Sequence, residues 1–112
     1  MSVEGAGDKN PIKEQQYVQE AQMNIQKFEQ NLVAYQTEES KDMKINRQEV
    51  MNSSMELIQG ALSEIKRSGI QKQGTQVESD FKNFMTTGSD ESLTKLNQDM
   101  ATLKQYLAET GS

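Results

Sequence analysis

The stretch VQEAQMNIQKFEQNLVAY, residues 18–35, decides the fold. Its apolar positions Val18, Ala21, Ile25, Phe28, Leu32 and Tyr35 step by 3, 4, 3, 4, 3, with Gln, Glu, Asn and Lys filling most places between. Steps of three and four return a side chain to one side of a 3.6-residue helix, whereas a half-buried strand alternates every second residue. The stretch therefore predicts one long amphipathic helix. Toward the amino terminus, Asn10-Pro11 is a helix start, because Asn caps free amides and Pro at the first helical position loses no hydrogen bond. Residues 1–10, with Gly5, Gly7, Asp8 and Asn10, have no hydrophobic period and read as a flexible N-terminal tail.

Toward the carboxyl terminus the period lapses through the polar run Thr37 to Asp42, which predicts a turn. Asn46 with Glu49 three residues later has the form of a capping box, and Ile45 and Val50 stand where a hydrophobic staple would. A second stripe follows in Met51, Met55, Ile58, Leu62 and Ile65, widened by Val50 and Leu57. Ser68-Gly69-Ile70 reads as its stop, with Gly69 left-handed and Ile70 folded back on Ile65. Gly74-Thr75 reads as the next start, with Thr75 and Glu78 as reciprocal caps ahead of Val77, Phe81 and Phe84. Gly88 ends that helix, and Ser89 or Asp90 caps the last one, whose stripe is Leu93, Leu96, Met100, Leu103 and Leu107.

No window alternates with a period of two, and the only Pro stands at a helix start. The class is all-α: an antiparallel helical bundle, or helical hairpins with coiled-coil-like seams, of about four helices. The expected helices lie near 11–40, 47–68, 76–87 and 90–109, within a single helical domain over 11–109. At 1.5 Å per residue the first would be about 45 Å long and the third under about 20 Å. A third helix so short leaves part of the first stripe uncovered, so a second chain is expected to meet it. Val18, Ile25, Phe28, Leu32 and Tyr35 are the expected partner-binding residues.

Composition excludes several classes of function. The 112 residues contain no His and no Cys, which removes the commonest general base, the thiol nucleophile, disulfides and nearly every zinc, copper or haem ligand set. With 17 acidic against 12 basic residues the formal charge is −5, and the densest basic patch is Lys66, Arg67 and Lys72. Nucleic-acid binding by counterion release is disfavoured by that balance. The longest unbroken apolar run is Leu32-Val33-Ala34-Tyr35, far short of the roughly 20 residues that cross a bilayer, and the amino terminus lacks the pattern of a cleavable signal peptide. The expected location is the cytoplasm, or outside the cell by a specialised export route. Leu, Ile, Val and Phe together number 21, so the core is small and association with another helical chain becomes attractive.

Three local patterns invite chemistry and yield to simpler readings. Gly69 to Thr75 has the spacing of a phosphate-binding loop up to its second Gly, but no Lys follows Gly74 and helix, not strand, precedes it. Asn52-Ser53-Ser54 matches a glycosylation acceptor yet falls inside the second helix. Glu38, Glu39, Asp42, Asp90 and Glu91 are candidate acid–base carboxylates, but loops, caps and first turns account for all of them. No cofactor, metal site or small-molecule substrate is expected, and the chain is not read as an enzyme. Six internal Met residues serve either as gap-fillers in the core or as a soft surface for partner helices.

In size, acidity, lack of Cys, richness in Gln and Ser, and helical-hairpin pattern, the chain resembles the small secreted helical proteins of type III and type VII export systems. Tyr35 and Glu39 have the Tyr-x-x-x-acid spacing of an export signal, although mid-chain. The Trp-x-Gly turn of the type VII family and the Pro-containing turn of type III needle subunits are both absent. Two functions are therefore expected. The first is a non-enzymatic interaction module presenting an apolar heptad seam to itself or to a helical partner. The alternative is a small helical subunit, chaperone or secreted substrate of a bacterial export system.

Overall fold

The computed structural model describes residues 11–111, so the expected tail over 1–10 lies outside the described residues. Four helices follow one another: α1 Pro11–Thr37, α2 Lys41–Ser63, α3 Ser68–Thr87 and α4 Asp90–Gly111. Among the described residues there is no strand, and 91% of them are helical. Connections of two to four residues make sequential helices antiparallel neighbours. α1 packs along α2 and α3 along α4, and the two hairpins meet through α1 against α4 and α2 against α3. The result is an up-down-up-down bundle, the all-α class that the periodicity predicts.

The four apolar stripes converge on one core. Val18, Ala21, Ile25, Phe28 and Leu32 of α1 meet Met51, Met55, Ile58, Ala61 and Leu62 of α2 together with Val77, Phe81 and Phe84 of α3 and Leu96, Met100, Leu103 and Leu107 of α4. Phe28 and Phe81 pack edge to face across the centre at 5.0 Å, and Tyr35 and Phe84 do so at 6.3 Å. Burying each such aliphatic or aromatic side chain contributes about 1.5–3 kcal/mol.

Two helix starts differ from the sequence expectation, and each difference has a local cause. α2 begins at Lys41, not near 47, because Ser40 is the cap: its Oγ accepts from the Met43 amide at 3.3 Å. Ser40 lacks the return acid of a capping box, whereas Asn46 and Glu49 imitate one inside the helix. Asn46 instead sends its side-chain amide to Met43 Sδ. The second difference is larger. α2 ends at Ser63, and Ser68-Gly69-Ile70 begins α3 where the sequence predicted a stop.

The corner between them owes its shape to packing. Glu64 and Ile65 donate to Ala61 and Leu62 in tight three-residue turns, while Lys66 Nζ donates to the Ser63 carbonyl and Gln71 Nε2 joins the Arg67 amide at the Ile65 carbonyl. Ile65 and Ile70 are both buried, one on each side of the bend. Arg67, at the start of α3, makes no side-chain cap and reaches Glu14 of α1 at 3.0 Å. Gly69 is helical, and Gly88 is the only described residue with positive φ, at 63°. Thr75 is interior to α3 and donates to the Gln71 carbonyl.

Gly74 has a different task from punctuation. A Cβ at this position would come within 2.5 Å of Leu62 Cδ1, so Gly lets α3 approach α2 closely. Gln59 Nε2 spans the same contact to the Gly74 carbonyl at 2.9 Å. At the opposite end the reading of Gly88 holds: its amide donates to Phe84 O at 2.7 Å in the left-handed closing position. Ser89, not Asp90, then caps α4 through the Ser92 amide at 3.1 Å.

Candidate functional site

The five expected partner-binding residues are brought together, on the inside. Val18, Ile25, Phe28 and Leu32 are 3% exposed or less, and Tyr35 is half-buried against Phe84. The stripe is closed by α2 and α4, the helices packed along α1, with Phe81 of α3 meeting Phe28 across the centre; α3 itself starts eight residues earlier than the expected position 76. The stripe is covered within the chain itself. Lys44 sits over the Tyr35 ring at 4.9 Å, adding a cation–π contact at the half-buried end.

The apolar side chains left outside are fewer and differently placed. On α2, Met43, Val50 and Leu57 recur every seven residues, so they form one row along the helix. Leu57 is 50% exposed and Met43 39%, with Val50 half-buried between them. Beside Val50 a shallow depression of about 400 Å³ opens against α1, lined by Lys27, Asn46, Glu49, Val50 and Ser53. Ile45, Met23 and Val33 are exposed as well. The internal Met residues divide accordingly. Met51, Met55 and Met100 fill the core, Met85 packs against it, and Met23 and Met43 face outward.

Near the α1–α2 turn, Arg47 lies half-buried on α2 with Nη1 donating to Asn31 Oδ1 at 3.4 Å. Its Nε is buried without a partner. A larger departure from the sequence reading is Asp80. The third stripe reads in the sequence as Val77, Phe81 and Phe84 alone, yet Asp80 between them is only 4% exposed on α3. Its Oδ1 accepts from Gln76 Nε2 at 3.0 Å and lies 3.7 Å from Lys95 Nζ of α4. The same ammonium reaches Asp99 Oδ2 at 3.1 Å. Gln73 Nε2 adds a bond to the Asp99 carbonyl at 2.9 Å. Burial, then the neighbouring Asp99, push the Asp80 carboxyl above the usual aspartate range. The Asp99 carboxyl is held lower, by its hydrogen bond to Asp80 and by Lys95. Lys95 is raised by its bond to Asp99 and the charge of Asp80.

The acid–base candidates from the sequence stand at helix ends. Glu38 is half-buried, and Glu39, Asp42, Asp90 and Glu91 are exposed at the turns and first turns between helices. Gly69 to Thr75 is helix, so no phosphate-cradling loop exists there, and Ser54 of the glycosylation-like triplet is buried in α2. Among the described residues no three His, Cys, Asp or Glu side chains gather where they could hold a metal ion, and no helix is long and apolar enough to cross a membrane. Asp80 left one trace in the sequence: it stands three residues after Val77, with Lys95 and Asp99 spaced four apart on the helix opposite. No family model, no curated protein and no solved structure matches the chain.

Proposed function

We propose that this chain is a non-enzymatic helical interaction module that receives an amphipathic helix of a partner, or of a second copy, along the outer row of α2. The observation that carries this reading is the outer heptad row of exposed Met43 and Leu57 with half-buried Val50 between them. Single exposed apolar residues are ordinary on any protein surface, but three at seven-residue spacing offer a partner helix a continuous strip. The flanking Asn46, Ser53 and Gly60 are small or uncharged, while Lys27 and Glu49 line the depression beside Val50 and offer charges to the polar edge of the partner helix. The stripe Val18 to Tyr35 is then the support that holds α2 in place. It is not the contact surface.

The experiment is sedimentation of the intact chain over a wide concentration range, with affinity capture from the native cell, repeated for Leu57→Asp. An exposed position tolerates the charge, so circular dichroism should be unchanged while self-association or captured partners are lost. A parent monomeric throughout, whose captured partners are the same for parent and Leu57→Asp, would overturn the proposal.

A second reading, export by a specialised bacterial secretion route as cargo or helical subunit, draws support from the internal cover of the first stripe. A chain that closes its own core needs no partner to stay folded. Appearance of the tagged chain in the medium, dependent on Glu39, would favour export. Retention in the cells whether or not Glu39 is replaced would remove it.

A further inference from the structure

Among the groups that neither the core nor the docking row uses, the polar cluster between α3 and α4 is incomplete in a specific way. Asp80 Oδ1 has Gln76 and Lys95 as neighbours, but Asp80 Oδ2 is buried without any donor. An ionised carboxylate buried with one bare oxygen is costly, because that oxygen has given up water and received nothing. The supply of cations is also short. One ammonium, Lys95, stands between two carboxylates, with 3.1 Å to Asp99 and 3.7 Å to Asp80. The groups that act on Asp80 are Asp99 and Lys95 from α4 and Gln76 from its own helix.

We infer that the α3–α4 seam is a built proton-binding site, in which Asp80 and Asp99 share one proton and the seam tightens as that proton is taken up on lowering the pH. Two ionised carboxylates cannot hydrogen-bond, since neither has a hydrogen to give. A proton on Asp80 gives its carboxyl a hydrogen to donate, and Asp99, held on the same Lys95 ammonium, is the neighbouring carboxylate that can accept it. Lys95 is then left to neutralise one charge in place of two. The proton resides on Asp80 because Asp80 is the more deeply buried of the two and Asp99 has the shorter contact to the ammonium.

The direction with pH follows from linkage. A carboxyl raised in the folded state contributes stability that is present at low pH and lost as pH rises through the folded value, which is the case of Asp80. Asp99 is lowered, so its contribution is lost as pH falls through its own folded value. The shared proton is therefore held in the window between the lowered Asp99 and the raised Asp80. Below that window both groups are protonated, and above it both are charged.

Carbon-detected NMR of the intact chain, following the carboxyl carbons through a pH titration, tests the site without any substitution. The Asp80 carboxyl should titrate above the ordinary value of about 3.9 and Asp99 below it. In Asp99→Asn the Asp80 midpoint should move down, since a like charge is replaced by an amide that can donate. Thermal melts supply a second readout. Asp80→Asn, which mimics the protonated group, should melt above the parent at pH values above the window, with the gap closing as pH falls into it. An Asp80 midpoint at or below the ordinary value, or one unmoved by Asp99→Asn, overturns the inference. So does an Asp80→Asn variant that melts below the parent by the same margin at every pH.

Discussion

The two bends that begin and end α3 are built on different principles. At Gly88-Ser89 the backbone itself makes the turn: a glycine takes a left-handed conformation, its amide closes α3, and the next residue caps α4. At 64–67 no residue has positive φ and no side chain caps α3; the chain bends because Ile65 and Ile70 are both drawn into the core while Lys66 and Gln71 tie off α2. The first bend is local chemistry. The second exists only in the assembled bundle, so substitutions should separate the two sharply.

The largest effect is expected at the packed corner. Ile65→Ala removes a fully buried side chain and should cost about 2–5 kcal/mol in denaturant unfolding, where a loss under about 1 kcal/mol would mean that the corner holds itself. Next comes Gly74→Ala. Its methyl group meets Leu62, itself buried, and the overpacking should outweigh the gain in helix propensity, leaving a net loss of roughly 1–2 kcal/mol. Combining it with Leu62→Ala, which makes room for the methyl, should give less than the sum of the two losses. The smallest pair is also the sharpest, because the signs differ. Gly88→Ala places a Cβ at positive φ and should cost about 1 kcal/mol or more. Gly69→Ala, in an exposed helical turn with open space around it, should gain up to about 1 kcal/mol in the same melts. If both destabilise alike, Gly69 is serving as the helix stop after all.

The same contrast explains what the sequence made legible. The four apolar stripes, the start at Pro11, the end at Gly88 and the first turn of α4 rest on periodicity and capping, which act within a few residues. The start of α3 does not. Arg67 is a poor cap by any local rule, and Gly69, Gly74 and Thr75 have the residue types of punctuation while two of them serve the helix interior and Gly74 serves its contact with Leu62. From that one displacement came the expectation of a short third helix, and with it an uncovered stripe on α1. Asp80 was hidden for a related reason. On sequence alone an acid beside Phe81 is a surface residue at the edge of a stripe, and only the approach of α4 turns it inward. The row Met43, Val50 and Leu57 was visible in part, as a widening of the second stripe, but its outward direction depended on where α1 and α3 stand.

The edge-to-face contact of Phe28 with Phe81 bears on the order of events when the chain folds. These rings belong to different hairpins and lie far apart in sequence, whereas most other pairings in the bundle join helices adjacent in the chain. Local pairings close quickly because little loop entropy is lost, which places helical bundles among the faster-folding topologies. Each hairpin is thus able to form early from its own residues, while the two rings meet only once both hairpins are in register. Substitutions at Phe28 or Phe81 should then speed unfolding more than they slow folding, marking the union of the hairpins as the late step.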